Sequence, residues 1–141
     1  MSKYGKLADG LNVDGEKPLP YHFDMLPNQP TLFCLPATED NKPFMNESLR
    51  RAAVRRARRV KVTNADTVKA SREEDKEIIA NFCVRSWSMK IDSNDVEFSA
   101  DECMEFFAAL PDWVFDDFRV WLTDPTNFVK VAVDGTALGE R

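Results

Sequence analysis

Histidine is almost missing from this chain: His22 is the only one in 141 residues. It lies in a proline-rich stretch with no acid or nucleophile placed to work with it, so catalysis built on imidazole has no foundation. Cysteine is scarce as well. Cys34, Cys83 and Cys103 are odd in number and lack metal-type spacing, and two of them sit inside apolar helical patterns. They read as buried free thiols rather than ligands or nucleophiles. The five glycines form neither a phosphate-cradling loop nor a nucleophile elbow. No apolar run approaches the roughly 20 residues that span a bilayer, and the opening MSKYG leads into no apolar signal core. The expectation is a non-enzymatic protein kept in a cytosol, with no cofactor, no metal and no membrane partner.

The length is that of one ordinary domain. Hydrophobic residues make up 43% of it, unevenly placed. The stretch 71–129 holds all three Trp and seven of the ten Phe, the largest apolar area the chain can bury. Charge is segregated too. Residues 49–62 carry six Arg and one Lys with no acid, whereas residues 63–141 carry eight basic and seventeen acidic residues. A basic segment joined to an acidic domain either pairs with it or waits for a polyanion.

Six of the eight Pro fall within residues 1–43, which removes backbone donors and predicts an extended N-terminal arm over 1–40. Thr31–Leu35, held between Pro30 and Pro36, is the best strand candidate there, and its flanking prolines suit an edge or isolated segment better than a central strand. A helix is predicted from near Asn41 to about Val60, with Asn41 or Lys42 as its cap, Pro43 in the first turn and a narrow apolar stripe of Leu49, Ala53, Ala57 and Val60. The next helix is predicted from Ser71, with Glu74 as capping-box partner, to Trp87, using Ile78, Ile79, Phe82, Cys83 and Trp87 as its apolar face. Turn formers at Asp92–Asp95 predict a small hairpin near 88–98. Ser99 and Glu102 open a helix of about ten residues, broken at Leu110-Pro111. A last helix carrying Val114, Phe115, Phe118, Trp121 and Leu122 stops at Asp124-Pro125, and an extended run through Phe128 follows. The fold class is therefore mainly α (α+β): an extended Pro-rich arm, a helical domain with a hairpin over 41–129, and a loose tail over 130–141.

Two residue sets are candidate partner-binding sites. Phe106, Phe107, Trp113, Phe118 and Trp121 hold more ring surface than two short helices can enclose, so part of it is expected to stay exposed and mark a partner site. Arg50, Arg51, Arg55, Arg58 and Arg59 sit on one helix. Such a helix can neutralise phosphates, but no aromatic is interleaved to stack on bases, so docking on protein acids is favoured over nucleic acid. Asp112, Asp116 and Asp117 are read as the solvated side of the last helix, not as a metal cluster.

Three stretches carry a likeness to a known family: PTLFCLPATEDNKPFMNESLRR (Pro30–Arg51), SREEDKEIIANFCVRSW (Ser71–Trp87) and VEFSADECMEFFAALPDWVFDDFRVWLTDPTNFV (Val96–Val129). The NKPF helix opening, the acidic helix ending in Trp and the turn FS-acid-x-x-x-FF-x-x-LPD are its most telling parts. In these the chain resembles the tail assembly chaperones of long-tailed bacteriophages. The resemblance implies a protein of the host cytoplasm that binds the apolar tape measure protein, helps recruit tail tube subunits, and forms a homo-oligomer. The competing readings are a structural tail or neck component of the virion, and a small nucleic-acid-binding regulator working through Arg50–Arg59.

Overall fold

The computed structural model describes residues 4, 8, 10–58 and 64–129. Strands β1 (Leu19–His22), β2 (Thr31–Cys34) and β3 (Val84–Ser88) form one antiparallel sheet in that order, and β4 (Lys90–Ile91) and β5 (Asn94–Asp95) form a second, two-stranded one. Four helices complete the described part of an α+β fold: α1 (Lys42–Ala57), α2 (Ala65–Phe82), α3 (Ala100–Ala109) and α4 (Asp112–Thr123). The predicted helix end near Val60 and the tail over 130–141 lie outside the described residues.

The proline-rich segment is not an arm laid against a helical body. Phe23, Leu32 and Cys34 are fully buried in the core, and β2 is the middle strand of the sheet, not an edge. The prolines permit this because Pro30 and Pro36 stand outside the ladder, so each of Thr31–Cys34 keeps its N–H. Pro20 lies within β1, but β1 is an edge strand, where a missing donor is tolerated. The segment is tied in before β1 as well. Val13 bridges Val129, the Asp14 N–H donates to the Phe128 carbonyl at 2.9 Å, and a Cβ added to Gly15 would stand 1.9 Å from the Asp40 carbonyl oxygen. Only glycine allows that approach.

Of the two cap candidates, Asn41 and Lys42, it is Asn41 that caps α1, with Oδ1 accepting from the Phe44 N–H at 3.4 Å. The predicted apolar stripe does not face the core. Leu49, Ala53 and Ala57 are exposed and α1 buries no residue, because the arc turned toward α2 is the polar one with Arg51 and Arg55.

Helix α2 begins earlier than Ser71 and ends before Trp87. Asn64 and Thr67 form its capping box, and the residues after Ala65 contain no breaker, so Ser71 falls mid-helix. Val84–Ser88 leaves the helix because β2 offers a ladder for it, a tertiary gain that overrides local helical periodicity. Trp87 Nε1 then donates to the Val96 carbonyl at 2.9 Å, pinning the β4–β5 hairpin. Its turn residues Asp92 and Ser93 both have positive φ, as a two-residue type I′ turn requires. Ser99 caps α3 through the Glu102 N–H at 3.0 Å, and Pro111 separates α3 from α4. Where an extended run was expected, Pro125–Phe128 is a 3-10 turn capped by Asp124, and it delivers Phe128 into the core.

Candidate functional site

The aromatic set is built from α3, α4 and the first strand. Helical spacing places Val114, Phe115, Phe118 and Leu122 on the buried side of α4, and Cys103 and Phe107 on that of α3. The surface these two helices leave open is covered by the β1 side of the sheet. Tyr21 stacks at 4.9 Å from Phe118 and 5.1 Å from Trp121, and Phe23 lies 5.3 Å from Phe106 and 5.4 Å from Phe118. Phe128 closes the far end, 4.9 Å from Trp121. These are tilted and edge-on ring contacts within the range where aromatic pairs attract beyond area burial.

The expected exposed ring patch is therefore largely sealed. Phe107 and Phe118 have no exposed surface, and Phe106 and Trp121 are half-buried against the core. The reason is the first strand, which supplies the lid that two helices lacked. Trp113 is the exception, with 61% of its surface exposed. Val120, seven residues on and so on the same helix face, is 65% exposed, with exposed Asp117 between them. Sequence reasoning missed Val120. The signal was present: the buried positions of α4 leave Trp113, Asp117 and Val120 as the opposite arc.

The arginine set divides. Arg51 donates to Glu47 at 2.7 Å and to Glu77 of α2 at 2.8 Å, Arg55 pairs with Glu74 of α2, and Arg50 holds Glu47. Hydrogen bonds from Arg50, then Arg51, hold the Glu47 carboxyl down at about 2. Arg58 is an exposed helix-end residue with no ion pair to the described residues, and Arg59 lies outside them. The basic helix thus spends Arg51 and Arg55 on its own domain's acids.

A second charged seam joins α2 to α4. Arg72 grips Asp116 with two bonds of 3.1 and 3.2 Å and reaches Asp112 at 3.4 Å, while Arg119 returns to Asp75 at 2.6 Å. Lys76, 5% exposed, lies between Glu73 and Asp112 and over the Phe115 ring. Asp112 and Asp116 are thereby engaged by cations of α2. The Arg72 hydrogen bonds pull the Asp116 carboxyl below its ordinary range, burial opposes them, and Arg119 assists. In the folded state Asp116 holds its proton less tightly than in the unfolded chain. Its stabilisation is full above the unfolded carboxyl value of about 4 and is lost as pH falls through the folded one. The urea midpoint is expected to drop on acidification from about pH 5 to about pH 3, and Arg72→Met is expected to lower the neutral-pH midpoint and flatten that drop.

The three thiols are free and buried. Burial pushes the Cys103 thiol up to about 12 and raises those of Cys34 and Cys83, so they are protonated at neutral pH and unreactive. His22 is exposed, with Nδ1 2.8 Å from the Thr31 hydroxyl. Comparison with protein-family models, with curated proteins and with solved structures returns no match.

Proposed function

We propose that this protein is a tail assembly chaperone of a long-tailed bacteriophage, acting in the host cytoplasm without catalysis. Its task is to bind the tape measure protein and assist the addition of tail tube subunits around it. The observation that carries the reading is Trp113, 61% exposed where the other candidate rings are buried or half-buried. An exposed Trp beside an exposed valine on a short helix is a suitable anchor for an apolar helix of another protein. It stands in the LPDW turn, one of the stretches that carry the family likeness. Self-association belongs to the same reading, with the solvent-facing Leu49, Ala53 and Ala57 of α1 as the surface available for it.

The test is co-expression of the chain with the tape measure protein of the same phage, followed by pull-down. Trp113→Ser is expected to weaken capture by about thirtyfold while leaving the circular dichroism spectrum unchanged. Undiminished capture by this variant, or a chain that stays in purified virions as a structural component would, contradicts the reading.

A further inference from the structure

We infer that the outer face of α4 selects a basic amphipathic helix, so that the partner segment it holds carries Lys or Arg beside its apolar stripe. This rests on the proposed chaperone reading and specifies the chemistry of what that site accepts.

The face has an apolar and an electrostatic component. Trp113 and Val120 are the apolar contacts, one turn to either side of Asp117. The electrostatic component is one-signed. From Ile91 to Phe118 the chain carries nine acids and no basic residue. The cations that pair with α4 acids are turned into the α2 seam: Arg72 and Arg119 are held there by Asp75, Asp112 and Asp116, and Lys76 lies between Glu73 and Asp112. Asp117 is left outside that seam, exposed and without an ion pair among the described residues. Burial first, then the Asp117 and Asp24 carboxylates, raise the Tyr21 phenol above its ordinary range. Asp101, Glu102 and Glu105 line the outer side of neighbouring α3, again with no ion-pair partner among the described residues.

A purely apolar helix laid on Trp113 and Val120 would desolvate Asp117 with nothing to pair it, which opposes binding. A helix with acidic flanks would meet like charge. A basic flank satisfies Asp117 and is drawn in by the surrounding acids, giving both selectivity and a faster encounter. The match is between an acidic face with a Trp anchor and a basic helix with an apolar stripe, read through helical spacing.

Two synthetic helical peptides test this, identical in their apolar stripe, one with Lys and Arg and the other with Glu on the polar face. Titrated into the full chain at low salt, the basic peptide is expected to bind at least about tenfold more tightly, the gap closing as salt rises to about 0.5 M. Asp117→Lys is expected to reverse the preference, and Trp113→Ser to abolish binding of both, each with an unchanged circular dichroism spectrum. Equal binding of the two peptides, binding of neither, or an Asp117→Lys variant that keeps the original preference overturns the inference. So does self-association through this face that Trp113→Ser removes, because the occupant is then a second copy. The two readings fail separately. Tape measure fragments that bind whatever the charge of their polar face remove this inference alone. A tape measure protein that is not captured, while the basic peptide still binds, removes the chaperone reading alone.

Discussion

Phe118→Ala is expected to destabilise the protein by about 3–5 kcal/mol, seen as a large fall in the urea midpoint with the unfolding slope preserved. The side chain has no exposed surface, and the rings of Tyr21, Phe23, Phe107 and Phe115 surround it at 4.9, 5.4, 5.7 and 6.4 Å. Truncation removes the transfer energy of a whole ring and leaves a cavity that four stacked aromatics cannot collapse into without losing each other. A domain of this size is stable by about 5–15 kcal/mol in total, so the variant loses a substantial share. The comparison with Trp113→Ser is the informative one. The two residues lie on one helix and both are candidates for partner binding. Phe118→Ala should impair capture only to the extent that it unfolds the chain, whereas Trp113→Ser should impair capture of a chain that stays folded. Equal midpoints for Phe118→Ala and the parent would mean that the β1 lid does not close over α4.

Asn41→Ala is expected to cost about 2–4 kcal/mol, the sum of a lost helix cap and a buried carbonyl left without its donor. Asn41 is 1% exposed and bonds in two directions. Its Oδ1 starts α1 at Phe44, and its Nδ2 donates to the Phe82 carbonyl, at the end of α2, at 2.9 Å. One amide therefore satisfies the start of one helix and the end of another. Asn41→Asp separates the two roles. Asp caps a helix as well as Asn does, but it has no N–H for Phe82 and would bury a charge. It is expected to be at least as destabilising as Ala. A near-neutral Asn41→Asp would show that only the α1 cap matters.

Much of the secondary structure could be read locally. Asn41 before Pro43, Ser99 before Glu102, Leu110-Pro111 and Asp124-Pro125 mark helix limits through side chains and dihedrals a few residues apart, and α1, α3 and α4 begin or end at them. The hairpin turn at Asp92–Ser93 is of the same kind. The core positions of α3 and α4 follow from helical spacing alone. The errors share a different cause. Ser71 has the chemistry of a cap, but α2 starts at Asn64, which the sequence reading did not take as a cap, because the stretch from Ala65 on stays helical. Trp87 fits a helix by period, but β2 drew it into a ladder.

For the site, the sequence determined that the aromatic residues of α3 and α4 outnumber the inner faces of those helices and that charge is split between a basic helix and an acidic second half; the spacing that puts Trp113 and Val120 on one arc of α4 was present in it but was missed. Only the tertiary structure decided what covers the surplus rings. Tyr21 and Phe23 arrive from nearly a hundred residues away because β2, flanked by prolines but not interrupted by them, pairs on both sides and carries β1 over α4. It also decided which arginines are engaged, by setting Arg51 and Arg55 against Glu77 and Glu74 of α2. Periodicity shows which side of an element is apolar. Which neighbour meets that side depends on long-range pairing, and here that pairing leaves Trp113 outside.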